Sequence, residues 1–477
     1  MFQIRSIWPI SVLIFCLALA GCGGTTQFGS QSQNNGNSSV VLAMTDTPPS
    51  LVSILSAQVT LTGATLAPGN VSLFSGSTTV ELTRLQTDIA YIATAANIPA
   101  GNYTSVTLTF ANPSLTIEND SAATIAGCAV GAICPIVPTA TSLSTTVPLT
   151  TFSIASSSTT GLLIDVNLEN LLSASLGADF SAGTTVTPFT PAGLGAPPVG
   201  AEDVVGHVGN INASSNTFTL TNAAGSYSLK VDNTSTFFPF PVTGTCPAPG
   251  FACLQNNQIL SVDIGIKSDG SILARNILFE DADSSDAEVE GMITSTNAAS
   301  QQFNMVVLTI SASGTGLVIG GQATVQYSTS LPTPFDIDFL HVDNLQVSTS
   351  SFSSSFNGAA DLVPGQQVSI RRNSSSTNTL VADRVRLRSS RITATVQSVG
   401  SPNINFTGLP SLFFGHGGVT LIQAQTSITP PTIYFEINGS INSSTNFLGD
   451  LLSVRGPLFN TGGTNRTLVA TKVVLKP

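Results

Sequence analysis

Four of the six cysteines form two short-range pairs, Cys128 with Cys134 in "CAVGAIC" and Cys246 with Cys253 in "CPAPGFAC". Thiols at such separations can close a disulfide, ligate a metal or run redox exchange. Five and six intervening residues match neither a zinc knuckle nor a CxxC redox pair, and no histidine stands near either loop. The spacing therefore predicts two disulfides in an oxidising compartment. Each stabilises by roughly 2 kcal/mol, because the loops are short.

No other residue set offers a familiar catalytic pattern. The three histidines, His207, His341 and His416, stand far apart, without an HExxH helix, a GxSxG elbow or a phosphate-binding glycine loop around them. They are expected on surfaces or turns, although folding could gather one of them with distant residues into a hydrolase site. The stretch "EDADSSDAE" (280–288) concentrates Glu280, Asp281, Asp283, Asp286 and Glu288. It lacks the spacing, central glycine and final glutamate of an EF-hand loop, so it reads as a solvated acidic linker rather than a calcium site. Asp336 and Asp338 share one strand face and His341 has the opposite parity, which makes a poor metal set. No catalytic residue, metal or cofactor is expected, and the protein reads as a non-enzyme.

Charge separates along the chain. From Cys22 to Ala360 there are 22 acidic side chains against four basic ones, net −18; from Asp361 onward there are ten basic against four acidic, net +6. Arg384, Arg386 and Arg388 alternate along one predicted strand, with Arg371 and Arg372 on its presumed hairpin partner. Neighbouring residues point opposite ways, so at most four of the five share a face, still enough to attract anions. Two readings follow. The arginines dock against the acidic half of the chain or simply aid solubility, or they bind anionic envelope polymers or lipid headgroups. Nucleic acid is not expected, because Trp8 is the only tryptophan and there are five tyrosines, a poor set of stacking platforms.

The N-terminal segment places the protein. Arg5 precedes a mostly apolar run from Ile7 to Ala20 that ends Leu19-Ala20-Gly21-Cys22. As a helix that run covers about 21 Å, short of the roughly 20 residues needed to cross hydrocarbon, and it fits the apolar part of a signal peptide. The ending resembles the lipobox of bacterial lipoproteins. That resemblance implies a signal peptide over 1–21, removal of Cys16 with it, and Cys22 as the lipidated N-terminus, with the membrane as partner through acyl chains such as palmitate. Two or more chains anchor firmly. Gly23, where the family's inner-membrane signal is aspartate, favours the outer membrane. Residues 22–39 are uncharged and rich in Gly, Ser, Gln and Asn, a flexible tether reaching roughly 20 to 25 Å.

Hydrophobic residues at 42% with charged residues at only 9% describe a chain that folds behind a Ser/Thr/Asn surface. Frequent Thr-Val-Thr-Leu alternation predicts an all-β protein, with one short helical piece near Asn167 to Leu176. Length alone suggests about three domains. Three openings look alike, from Val204, Val289 and Ile392. Three closings match better, "SILARNILF", "TLVADRVRL" and "TLVATKVVL", each with an alanine (Ala274, Ala382, Ala470) followed by apolar residues three and five positions on. Period two puts Ile277 and Phe279, Val385 and Leu387, and Val473 and Leu475 on one face, with Asn276, Arg384, Arg386 and Lys472 among those on the other.

These units resemble uncharacterised OB-like barrel repeats of bacterial envelope proteins, and the third has Ala394 in place of the opening glycine, which puts its first turn in doubt. "TDTP" at Thr45 and "PAGNYT" at Pro99 resemble an uncharacterised N-terminal β-sandwich domain of bacterial lipoproteins. There, Tyr103, Ser105, Thr107 and Thr109 are expected on one strand face and Val106, Leu108 and Phe110 on the other. The expected organisation is a β-sandwich over 40–190, then β-barrel repeats over 200–284, 287–390 and 391–477. The expected function is that of a lipid-anchored, non-catalytic cell-envelope module, structural or binding; the alternative is a hydrolase of envelope polysaccharide or peptide.

Overall fold

Val40 to Met44 is an unbroken apolar run, and it becomes the middle of a strand, Ser38–Thr47, with both faces buried. Val40, Leu42 and Met44 point into a sandwich core; Val41 and Ala43 point the other way, into a cluster shared with the first barrel. A strand covered on both sides needs no polar alternation. The computed structural model describes residues 38–476 except 48–52, 192–199, 224, 237, 239, 241, 245, 283–286, 312–315, 329–332, 339, 342–344, 347–354, 373–378, 401, 408, 410, 415–420, 427–430, 437–445 and 463–464.

The first unit is a sandwich. One sheet is ordered Thr184–Phe189, Thr159–Asn167, Ser38–Thr47, Ala90–Ile98. The other is ordered Val71–Glu81, Ser53–Ala67, Gly101–Glu118, Ile133–Ile136, with Ser144–Ile154 also paired to Gly101–Glu118. Phe110 stacks on Phe180 at 4.4 Å between them. Tyr103 departs from its expected face. A register shift between Tyr103 and Ser105 reverses the alternation, so the ring is buried and its hydroxyl donates to the Pro99 carbonyl at 2.8 Å. The predicted helical piece is one turn, Leu168–Leu171, capped by the Asn167 side chain.

Three five-stranded barrels follow, and the protein is all-β as expected. The first uses Gly200–Asn212, Thr217–Asn222, Gly225–Val231, Ile259–Ile266 and Ile272–Asp281. The second uses Ala287–Asn297, Gln302–Ile310, Gln322–Gln326, Gln367–Arg372 and Thr379–Leu387. The third uses Ser389–Val399, Asn403–Thr407, Leu421–Gln425, Leu451–Asn460 and Asn465–Val469, with Lys472–Leu475 added beside Leu451–Asn460. Each runs 1-2-3-5-4, with strand 4 back on strand 1 and strand 3 parallel to strand 5.

The opening glycines have a steric reason. A Cβ on Gly206 would lie 2.7 Å from the Thr221 carbonyl oxygen, and one on Gly291 2.6 Å from that of Val306. The third barrel forms its first hairpin with Ala394, pairing Thr395 with Thr407, so the doubt over that turn is removed. The closing strands place Ile277, Val385, Leu387 and Val473 inside their barrels as predicted. Their opposite faces are buried as well, because they form the seams between units.

Candidate functional site

The seams meet in a buried cluster of charge, and the repeat explains how. Asp263 lies opposite Asn276 in the first barrel, Arg371 opposite Arg384 in the second, and Arg455 opposite Lys472 in the third. On the opening strands, Asp203, Glu288 and Arg391 each stand three residues before Gly206, Gly291 and Ala394. Equivalent outward positions thus carry acid in one copy and base in another, so the barrels complement each other.

Glu280, ending the first barrel, is the hub. Its carboxylate takes Arg384 at 2.5 Å, Arg386 at 2.8 Å and Arg388 at 2.8 Å. Arg384 also meets Glu288 at 3.0 Å, Arg386 meets Asp336 at 2.9 Å, and Arg388 pairs with Asp338 and lies 3.1 Å from Glu290. The sandwich enters through Arg84, 2.9 Å from Glu290, and through Asp88, which takes Arg391 at 2.6 Å and Lys472 at 3.0 Å. Arg455 of the third barrel reaches Asp203 of the first at 2.5 Å.

Burial and neighbours set the protonation of these groups. Burial alone would raise Glu280 and Asp88, but the three arginines around Glu280, and Lys472, Arg391 and Arg455 around Asp88, overcome it and hold both below the ordinary carboxylate range. Glu288 is pushed up to about 7, by burial and then by the nearby Glu280. Asp263 reaches about 7 through burial and Asp203. Glu81 reaches about 7 through burial, although Ser56, Thr83 and the Ala57 amide all donate to it. The cluster couples the units: charges from four of them neutralise one another out of water, so that removing one partner leaves a buried charge uncompensated. Beside it lies a cleft of about 100 Å³ walled by Tyr91, Glu81 and Arg84 of the sandwich, Tyr227 and Asn222 of the first barrel, and Thr309 of the second. Its Arg84 and Glu81 are already engaged.

The predicted site residues fare unevenly. Cys128–Cys134 and Cys246–Cys253 are disulfides, with Cα atoms 5.8 and 5.0 Å apart. Cys22 and His416 lie outside the described residues. Arg384, Arg386 and Arg388 are buried in the cluster, and Arg371 meets Asp383 at 2.7 Å and Asp281 at 3.4 Å. Arg372 ends the strand Gln367–Arg372, opposite Ala287 and Ala382. Arg384, Arg386 and Arg388 thus pair with carboxylates of the acidic half, as the docking reading expected, instead of lying open to an anion, and the Arg372 side chain lies outside what the structure describes. The ends of the "EDADSSDAE" stretch are also corrected, since Glu280 and Glu288 are buried partners of arginine rather than solvated linker charges, while Asp283 and Asp286 lie outside the described residues. His207 is half-buried, with its pKa lowered by burial, and His341 lies in a two-residue strand, Leu340–His341. Sequence reasoning missed Asp88, Asp203, Arg391 and Arg455. Aligning the repeats at Gly206, Gly291 and Ala394 would have singled out Asp203 and Arg391.

The fold and the cluster define an all-β protein of a sandwich and three like barrels joined by buried charge. Within it, residues 37–191, which include the sandwich strands, match a family described as a domain of unknown function (DUF4382). No curated protein matches the chain. One similar solved structure, "drosophila Unr CSD456", is 10% identical, with 59% of this chain and 99% of that one covered, at a TM-score of 0.14. Another is described as a multidomain protein with nucleic acid binding domains from Streptococcus pneumoniae TIGR4; it is 10% identical, with 57% of this chain and 73% of that one covered, at a TM-score of 0.12. Likenesses this low carry no argument about function. The expected partners are corrected: the exclusion of nucleic acid is withdrawn, the polyanion reading loses Arg371, Arg384, Arg386 and Arg388 to internal ion pairs, and no partner is shown.

Proposed function

We propose that this is an exported lipoprotein of the cell envelope, carried on a lipid at Cys22, whose folded part is a non-catalytic structural module. The lipobox-like ending at Cys22 supports the anchor and the outer-membrane placement. The barrels, sharing one strand order, are read as OB-like repeats that extend the sandwich. The observation that carries the structural role is the Glu280 hub, where arginines that could have served a ligand bind the barrels together instead. The test is metabolic labelling with a palmitate analogue followed by membrane fractionation. Label and membrane association are expected in the natural chain and lost in Cys22→Ala; an unlabelled natural chain, or a variant equally bound to membranes, overturns the anchor. Turnover of an envelope polysaccharide or peptide, abolished by a change at His207, His341 or His416, would overturn the non-catalytic reading.

A further inference from the structure

Asp46 is fully buried near the end of the strand Ser38–Thr47, and no side chain donates a hydrogen bond to its carboxyl, which has the neighbouring Thr47 backbone amide at its edge. Asp88 provides the contrast, because there both oxygens are taken by cations. A buried carboxyl left open in this way is costly unless it is neutral. Facing it is Lys476, buried at the far end of the chain, whose Nζ donates to the backbone carbonyl of Asp46 at 2.7 Å, 430 residues away in sequence. Asp165, on the parallel neighbouring strand, accepts from the Thr47 hydroxyl at 3.4 Å and acts on both Asp46 and Lys476.

An amine and a carboxyl that no other side chain holds, shut away from water with a second carboxyl on the next strand, are the components of an amide condensation. We propose that Lys476 and Asp46 form an intramolecular isopeptide bond. The lone pair of Nζ attacks Cγ of the protonated Asp46 carboxyl. Asp165 gives its carboxyl proton to the departing hydroxyl and takes one back from the nitrogen, so a C–N bond forms, a C–O bond breaks and one water leaves, with no change of oxidation state. Burial favours the uncharged reactants, lowering Lys476 and raising Asp46 and Asp165 against their mutual attraction. The amine already rests on the backbone carbonyl of the residue whose side-chain carboxyl would acylate it. The product closes the chain from the sandwich to the third barrel, covalently fastening units that the charge cluster holds non-covalently.

The test is mass spectrometry of the full chain, purified from expressing cells, denatured and digested. A joined pair of peptides containing Asp46 and Lys476 is expected, lighter than their sum by one water. It should vanish in Asp46→Ala and in Lys476→Arg, which keeps the charge, and form more slowly in Asp165→Asn. Only linear peptides from the natural chain, both at unmodified mass, would overturn the proposal, as would a bond joining other residues. A variant that fails to fold leaves the reading from the natural chain intact.

Discussion

The guanidinium of Arg388 and the carboxylate of Glu280 meet at 2.8 Å, with both side chains fully removed from solvent. One belongs to the segment just after the second barrel's closing strand, the other to the first barrel's last strand, and Arg384 and Arg386 share the same carboxylate. Removing Glu280 thus takes a carboxylate from three buried cations at once, leaving Arg384 with Glu288, Arg386 with Asp336, and Arg388 with Asp338 and Glu290. Breaking a buried pair costs about 3–5 kcal/mol, and Glu280→Ala should lose at least that much in urea or guanidinium unfolding. Arg388→Met, which leaves a shared carboxylate and no orphaned cation, should lose less. Equal losses would contradict the hub.

The pH profile of stability follows from two opposed sets of carboxyls. Glu81, Asp263 and Glu288 are raised to about 7, by burial before all else, so the folded chain holds protons that unfolded carboxyls release near about pH 4. Their contribution is full below that lower value and declines as pH rises toward about 7. Asp88 and Glu280 are held low by their cations despite burial, and their contribution is lost as pH falls through the acid range. Tm should therefore peak near about pH 5 and fall toward about pH 8. A Tm that climbs steadily over that interval would contradict the assignment.

The close approach at the opening glycines is testable by size. Gly291→Val places side-chain atoms where even a Cβ would meet the Val306 carbonyl oxygen at 2.6 Å. A loss of about 1–3 kcal/mol is expected for such overpacking, while Ala394→Gly in the third copy should change stability by no more than about 1 kcal/mol. Thermal melts of the two variants distinguish them.

The short disulfides should matter modestly. Replacing Cys128 and Cys134 together by Ser is expected to cost about 2 kcal/mol, and the same change at Cys246 and Cys253 a similar amount. Melts with and without reductant check this, and a loss of all cooperative unfolding on reduction would contradict it.

How much of this was legible in the sequence differs by residue. Period-two alternation located the closing strands and their inward faces at Ile277, Val385 and Val473, because barrel interiors obey local geometry. Cysteine spacing gave both disulfides for the same local reason. The role of Arg384, Arg386 and Arg388 was only half legible: their alternation showed a shared face, but which surface covers that face depends on units distant in the chain. Glu280 and Glu288 looked like a solvated linker because an acidic run says nothing about cations about a hundred residues away. Tyr103 was misplaced by a bulge that composition does not reveal.

The most direct measurement is differential scanning calorimetry of the natural chain beside Arg391→Met with Arg455→Met. These arginines join the third barrel to Asp88 of the sandwich and Asp203 of the first barrel. If buried charge fastens the units, the natural chain melts in one cooperative transition and the double variant in two, the third barrel first. A double variant that melts in the same single transition at the same temperature would contradict it.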